Sequence, residues 1–284
     1  MISAPVHIIG ASGRSGVGLT RALRTMGHAV VPIVRNPAKI DDPTARIADL
    51  TQPDTMARAL RDAKLVVCCA HARHAAAVIA AAPPSARLVF LGSTRKFTRW
   101  PDAHGNGVLA GEAAFLASGR DGAMLHPTMI YGARGENNVQ RLAALLRRLP
   151  IAPLPNGGTA LVQPIHQDDV TAAILAALSC DWAEPRSLTI AGPTPVAYAD
   201  FIRAIARAAG LRPPRILAFP ALPMVLAAGL TRFVPGLPTV HPSEIRRLLE
   251  DKAFDIAPMR AELGIDPIGL DEGLARTFAP QHDP

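Results

Sequence analysis

Short apolar runs alternate with amphipathic segments over the first half of the chain. The apolar runs predict strands at Val6–Ile9, Ala29–Val34, Leu65–Ala70, Arg87–Leu91 and Ala123–Leu125. The segments between them predict helices at Ser15–Met26, Pro53–Arg61, Ala72–Ala82 and Leu109–Ser118. Because the strands lack polar alternation, both faces of their sheet should be covered. The pattern predicts an α/β fold with a Rossmann-type, doubly wound parallel sheet.

Beyond Pro127 the pattern loosens, and proline-rich joints at 150–155 and 193–195 mark a second part of the chain. A helix at Gln167–Leu178 and a late strand at Leu188–Ala191 are expected to return to the main sheet. We therefore predict two interleaved units: a Rossmann domain of residues 1–127 with 165–192, and a smaller C-terminal α/β lobe of residues 128–164 and 193–284.

The turn between the first strand and the first helix contains three glycines at the spacing Gly10, Gly13, Gly16. Glycine lets the backbone turn sharply and approach a pyrophosphate, while the helix N-terminus supplies N–H donors. We expect dinucleotide contacts from Gly10, Ser12, Gly13, Arg14, Ser15 and Gly16. A nucleoside-triphosphate loop would end in Gly-Lys-Ser/Thr, but Val17-Gly18 follows here. The alternative is a glycine-rich turn without a ligand.

The end of the second strand indicates which dinucleotide binds. NAD-specific domains place an acidic residue there to hold the ribose hydroxyls, but this chain reads Val34-Arg35-Asn36. A guanidinium at Arg35 could fork onto a 2′-phosphate, with Arg14 as a second cation on the same side. We therefore predict NADP(H) in preference to NAD(H). The alternative is a solvated surface arginine.

The ends of the third and fourth strands should border the same cleft. Asp49 and Leu50 are expected at the adenine ring, and Ala70 and His71 beside the dinucleotide. Cysteines and histidines also gather at positions 68–74, but strand thiols and helix imidazoles should point apart, so no metal site is predicted. The chain's three cysteines form no disulfide framework, which fits a reducing cytosol and a cytoplasmic protein.

Several segments follow one another in a recognisable order along the chain: GASGRSG (10–16), ADL (48–50), LVFLGST (88–94), GEAAFLASG (111–119), HPTMIYG (126–132), QPIHQDDV (163–170), SEIRRLLEDK (243–252) and LDEGL (270–274). In these segments and their order the chain resembles the short-chain dehydrogenase/reductase superfamily, in its extended or atypical, epimerase/dehydratase-like branch. It is most similar to the group that contains the NADPH-binding accessory subunit of respiratory complex I and its bacterial relatives.

The resemblance implies a catalytic Ser/Thr at Ser93, with Thr94 as the neighbouring alternative. In the family a Tyr-x-x-x-Lys pair completes the site, and alignment on GEAAF puts His104 and Val108 at those positions. Valine cannot hydrogen-bond ribose or stabilise a phenolate, so the usual mechanism is not available. An imidazole at His104 could exchange a proton with substrate; the alternative is a surface histidine in a PDAHGNG loop.

A second departure follows the sixth predicted strand. His126-Pro127 stands where the family often has Arg-Pro, and both residues are predicted to lie at the cofactor.

The formal net charge of +7 raises the question of nucleic acid. Arginines contribute 26 of the 30 basic residues, and no basic run or helix face stands out, so we expect no nucleic-acid partner. The apolar segment Ala221–Val234 is too short for a membrane span and contains Arg232. It predicts a buried or interfacial helix. Contact with a membrane surface is not expected, although the segment leaves it open.

Two functions fit these residues. One is an NADP-dependent oxidoreductase or epimerase/dehydratase-type enzyme that acts on a small or nucleotide-linked substrate without the usual Tyr and Lys. The alternative is a non-catalytic protein that binds NADPH as a structural, assembly or sensing ligand. Neither the substrate nor the oligomeric state follows from the sequence.

Overall fold

A computed structural model describes residues 2–132, 138–228 and 242–279. Its strands, in chain order, are β1 (Val6–Ile9), β2 (Val30–Val34), β3 (Arg46–Ile47), β4 (Leu65–Cys68), β5 (Arg87–Leu91), β6 (Gly122–Pro127), β7 (Ile130–Tyr131), β8 (Ile151–Pro155), β9 (Leu161–Val162), β10 (Ile165–His166), β11 (Arg186–Ile190), β12 (Val196–Ala197) and β13 (Arg215–Phe219).

The α-helices of the same residues are α1 (Arg14–Thr25), α2 (Pro53–Leu60), α3 (Ala75–Ala81), α4 (Ala103–Ala117), α5 (Asn138–Leu146), α6 (Gln167–Ser179), α7 (Tyr198–Ala208), α8 (Ala221–Ala228), α9 (Pro242–Arg247), α10 (Ala257–Leu263) and α11 (Leu270–Phe278). Short 3-10 turns at Ala72–His74 and Thr94–Phe97 follow the ends of β4 and β5.

Seven strands form one parallel sheet in the order β11-β6-β5-β4-β1-β2-β3. One face packs on α1, α6 and α10 through apolar residues such as Leu19, Ile174 and Met259. The other face packs on α2, α3 and α4 through residues such as Met56, Val78 and Phe115. The predicted Rossmann-type sheet with both faces covered is confirmed.

The helix predicted at Leu109–Ser118 begins six residues earlier than expected. Asp102 caps it, because its Oδ1 accepts a hydrogen bond from the Gly105 backbone N–H at 2.8 Å. Three glycines in the first turns of α4 hide this start in the sequence, since glycine has a low helix propensity. His104 therefore lies in a helix, and its alternative placement in a surface loop was wrong.

Three segments beyond residue 164 lie against the main sheet. Strand β11 pairs with β6 as the edge strand, α6 packs beside α1, and α10 packs against β11 and α6. The remaining C-terminal segments build small parallel or antiparallel pairs, β7–β10, β8–β13 and β9–β12, around the helices α5, α7 and α11.

The apolar segment Ala221–Val234 is described only in part. Residues Ala221–Ala228 form α8, and residues 229–234 lie outside the described part of the chain. Among the described residues, every helix is too short or too polar to span a bilayer.

Candidate functional site

The loop between β1 and α1 has the backbone that a dinucleotide phosphate needs. Gly10 adopts a positive φ of 77°, which disfavours other residues. A Cβ on Gly16 would collide with the Gly10 carbonyl oxygen and lie 2.8 Å from the Ala11 Cα. The N-cap residue of α1 is Gly13, which has no side chain to accept hydrogen bonds from the backbone N–H groups of the first turn. This glycine cradle fits a pyrophosphate.

A cavity of about 300 Å³ adjoins this loop at the carboxyl ends of β1, β2 and β4. Seven of the predicted cofactor residues line it: Gly10, Ser12, Arg35, Asp49, Leu50, Ala70 and His71. The Asp49 carboxylate accepts hydrogen bonds from the Thr51 backbone N–H at 2.8 Å and hydroxyl at 2.7 Å, and these bonds lower its pKa. Asp49 is thereby held as an anion facing the cavity.

Arg14 and Ser15, two further predicted cofactor residues, do not line this cavity. Arg14 lines a separate groove between α1 and α6, whereas Arg35 lines the 300 Å³ cavity, and the pairing of the two cations at a 2′-phosphate stays a prediction. Ser15 donates from Oγ to Oε1 of Gln167 at 3.3 Å. Both residues point toward α6 because they lie on the first turn of α1, which packs against that helix.

His71 and His104 meet edge to face beside the first cavity. Their ring centroids are 4.3 Å apart with an interplanar angle of 78°. Helix α4 comes this close because glycines face the 71–74 turn: a Cβ on Gly111 would collide with the Ala72 carbonyl oxygen, and one on Gly107 would lie 3.0 Å from Cε1 of His71. The packing of one small-residue face therefore brings the two imidazoles together.

Burial and surrounding positive charge keep both imidazoles neutral. Burial, then the charge of His104 and of Arg73, lowers the pKa of His71 to about 4. Burial and Arg95 lower the pKa of His104, which Asp102 opposes. Nδ1 of His71 accepts from the Arg73 backbone N–H at 3.1 Å, and its Nε2 is buried without a hydrogen-bond partner within the described residues.

A second cavity, of about 700 Å³, opens next to Ser93 and Thr94, between the ends of β5 and β6 and the C-terminal lobe. The two hydroxyls have local partners: Ser93 Oγ accepts from the Arg95 backbone N–H at 3.2 Å, and Thr94 Oγ1 donates to the Pro127 carbonyl at 3.3 Å. The C-terminal lobe supplies Lys252, whose Nζ donates to the Arg247 carbonyl at 2.7 Å and whose pKa is lowered by burial.

His126 does not line either cavity. Its imidazole is fully buried against Gly92, where Nδ1 accepts a hydrogen bond from the Ser93 backbone N–H at 3.2 Å. The side chain points from the strand toward α4, and its place among the cofactor contacts stays a prediction. Pro127 likewise lines neither cavity, and it contributes its carbonyl to Thr94.

A buried polar cluster beneath Ser93 escaped the sequence analysis. Glu112 accepts hydrogen bonds from Lys96 and Ser187, and Nε2 of His126 lies 3.3 Å from its carboxylate and 3.1 Å from Ser187 Oγ. Burial alone would raise the pKa of Glu112, but these donors outweigh it and lower the pKa to about 2. The glutamate of the GEAAF segment is the sequence feature that could have pointed to this cluster.

The position of the family's lysine is apolar. Val108 is buried in the core between the sheet and α4. Lys96 is the lysine nearest to Val108 in the sequence. It forms an ion pair with Glu112, which lies one helical turn after Val108 on α4. The described residues contain no group of three or more His, Cys, Asp or Glu placed to hold a metal ion.

Comparisons with known proteins agree with this geometry. Residues 10–108 match the family model described as NAD(P)H-binding. No curated protein sequence matches the chain.

Solved structures with a similar fold cover almost the whole chain. A short-chain dehydrogenase/reductase superfamily protein from Agrobacterium tumefaciens with bound NAD is 16% identical, with 96% of each chain covered and a TM-score of 0.71. UDP-glucose 4-epimerase from Thermotoga maritima, with UDP-glucose, is 13% identical, with coverage of 96% of this chain and 97% of that one and a TM-score of 0.73. UDP-glucuronic acid 4-epimerase from Bacillus cereus, with UDP-glucuronic acid and NAD, is 15% identical, with coverage of 96% and 98% and a TM-score of 0.71.

Residues 10–108 therefore form a domain that matches an NAD(P)H-binding family model, and the chain as a whole has the fold of solved structures of short-chain dehydrogenase/reductase and epimerase proteins. The narrower resemblance to the complex I accessory-subunit group stays a prediction.

Proposed function

We propose that this protein is an NADP(H)-dependent enzyme of the oxidoreductase or epimerase/dehydratase type. The observation that carries the proposal is the 700 Å³ cavity beside Ser93 and Thr94, at the same edge of the sheet as the glycine cradle. Cavities of this size accept small-molecule ligands. In open parallel sheets, ligands bind outside the carboxyl ends of the strands, where both features lie.

The glycine cradle and the 300 Å³ cavity would hold the dinucleotide. Gly10, Gly13 and Gly16 would receive the pyrophosphate, and Arg35 would face the 2′-phosphate across the cavity from Asp49. The bound cofactor would supply or accept a hydride. Arg35 is exposed at the cavity rim, where an arginine can form two parallel hydrogen bonds to phosphate oxygens.

His104 lines neither cavity itself but packs against His71 of the first one, and it would act as the proton-transfer group. Its lowered pKa leaves the ring neutral at neutral pH, and a neutral imidazole can accept the proton of a substrate hydroxyl that is being oxidised. His71 packs against it and fixes the orientation of its ring. Ser93 and Thr94 would place their hydroxyls beside the reacting carbon, as the family resemblance implies.

The C-terminal lobe would select the substrate. Lys252 and Arg99 face the 700 Å³ cavity with the acidic residues Glu250 and Asp251, so the cavity wall carries both signs of charge. Glu250 is fixed in place because it accepts hydrogen bonds from the Thr98 hydroxyl at 2.8 Å and the Arg99 backbone N–H at 2.6 Å. A small polar carbonyl compound or a sugar nucleotide fits this lining.

The test measures binding and turnover separately. NADPH and NADH are titrated against the purified protein by fluorescence, and cofactor consumption is then followed with a panel of carbonyl compounds and sugar nucleotides. We expect tighter binding of NADPH and turnover with at least one substrate class. No saturable binding of either nucleotide would overturn the proposal.

The buried valine at position 108 favours a second candidate, a protein that binds NADPH without turning it over. Without a ribose-binding lysine, the cofactor loses one of the family's contacts. Tight NADPH binding with no consumption across the panel is the result expected from this candidate.

A further inference from the structure

The two-stranded sheet of the C-terminal lobe leaves one apolar face uncovered. In the parallel pairing of β8 and β13, Ile151 lies beside Arg215, Pro153 beside Leu217, and Pro155 beside Phe219. Paired residues in neighbouring strands point to the same side. The alternate residues Ala152, Leu154 and Ile216 point to the other side and pack against α7. The row that contains Leu217 and Phe219 therefore faces outward.

Neighbouring apolar residues extend this outward row. The exposed Leu145 and Leu149 lead into β8, and β13 runs into α8, where Leu222 is 70% exposed. Phe219 itself is 45% exposed. We call the set of Leu145, Leu149, Ile151, Leu217, Phe219 and Leu222 the β8–β13 face. Exposed apolar side chains on a pair of strands and on the segments that adjoin them mark a candidate interaction surface.

The two stretches of sequence that form the β8–β13 face carry a single sign of charge. The sequence has no Asp or Glu from 137 to 167 or from 201 to 243, the two stretches that contain both strands. Four exposed arginines lie at the ends of these strands: Arg147 and Arg148 before β8, and Arg212 and Arg215 at the start of β13. A surface that combines leucine, isoleucine and phenylalanine with exposed arginines is complementary to anionic lipid headgroups above acyl chains.

We propose that the β8–β13 face docks the protein onto an anionic lipid bilayer. The apolar side chains enter the boundary between headgroups and acyl chains, and the arginines bind lipid phosphates while their aliphatic stems cover apolar surface. A second copy is the less favourable occupant, because it would bring together two surfaces that carry the same sign of charge. The docking is peripheral, and it is independent of the enzymatic proposal.

The experiment is vesicle co-sedimentation of the full chain. Vesicles of phosphatidylcholine with phosphatidylglycerol are compared with vesicles of phosphatidylcholine alone, at low and high salt. We expect binding to the anionic vesicles only, weakened at high salt because screening reduces the arginine contribution. The double variants Leu217→Ser/Phe219→Ser and Arg147→Glu/Arg148→Glu should each reduce binding on the order of tenfold or more.

The matched control is Arg58→Glu/Arg61→Glu, with Arg58 exposed on α2 and Arg61 exposed at its C-terminal end, which changes the net charge equally but lies in the Rossmann domain. It should retain most of the binding, and melting curves should show that all variants remain folded because every replaced side chain is exposed. Absence of binding, equal binding to both kinds of vesicle, or an equal loss in the control would overturn the proposal. So would a dimer in sedimentation velocity that Leu217→Ser/Phe219→Ser dissociates.

Discussion

His104 is the residue on which the proposed chemistry depends. Burial and the nearby Arg95 lower its pKa from the ordinary 6.5. A base must be deprotonated to act, so the rate of alcohol oxidation should be constant around neutral pH. It should fall only as the pH drops through the lowered pKa. The pH dependence of kcat/KM should show this acidic limb.

The variant His104→Ala should lower the oxidation rate by about 10²- to 10⁴-fold, as expected for loss of a positioned base. It should also abolish the acidic limb, while NADPH binding measured by fluorescence stays within a few-fold. The control is Asn106→Ala, which changes an exposed residue of α4 two positions after His104 and should leave the rate unchanged. An unaltered rate in His104→Ala would remove this imidazole from the mechanism.

Arg35 should decide between the two nicotinamide cofactors. Arg35→Asp replaces a cation at the cavity rim with an anion that would repel a 2′-phosphate, so NADPH should be weakened on the order of tenfold or more. NADH lacks this phosphate, and its Kd should change much less. Titration of both cofactors against the variant measures the difference; equal losses would contradict the 2′-phosphate role.

Glu112 forms a buried ion pair with Lys96. It also contacts His126, which accepts a hydrogen bond from the Ser93 backbone N–H. Lys96 and Glu112 side chains are only 9% and 13% exposed, so Glu112→Gln leaves an uncompensated ammonium. Breaking such a pair should cost about 3 kcal/mol of unfolding free energy. Lys96→Met combined with Glu112→Gln should recover most of that loss in a denaturation experiment. A single variant as stable as the parent would show that the pair contributes little.

At the scale of elements, the packing of α4 on the 71–74 turn depends on Gly111. A Cβ there would lie 2.6 Å from the Ala72 carbonyl carbon, so Gly111→Ala forces the helix away from the turn. We expect a loss of about 1–3 kcal/mol in unfolding free energy, despite alanine's better helix propensity. Asn106→Ala on the exposed side should be neutral or slightly stabilising. Chemical denaturation of both variants provides the comparison.

The bounds of a strand could be predicted from the sequence where an apolar run alone determined it. Strands β1 and β5 are uninterrupted apolar runs, and their predicted bounds match the structure. The start of α4 could not be predicted, because its glycines serve contacts with Ala72 and His71 that are distant in sequence. The Glu112 cluster was hidden for the same reason: Lys96, His126 and Ser187 belong to three other segments.

At the scale of the whole molecule, the cofactor should stabilise the folded chain. A ligand that binds only the folded state at a hundred times its Kd adds about 2.7 kcal/mol. For a chain of this size, that corresponds to a rise in Tm of several degrees. NADPH should therefore raise the Tm, and it should do so at lower concentrations than NADH.

The glycine cradle provides the decisive variant for this effect. Gly13 has a negative φ, and a Cβ there would approach only the Gly10 carbonyl oxygen, at 3.2 Å, so Gly13→Ala should fold with nearly the parent Tm. The new methyl group would nevertheless occupy the space where the backbone must approach the pyrophosphate, and the NADPH-dependent rise should disappear. Gly18→Ala on the same helix is the control, because its Cβ would make only ordinary contacts with Gln167 and Thr171. Thermal unfolding with and without NADPH distinguishes the two, and an equal rise in both variants would mean that the dinucleotide binds away from this loop.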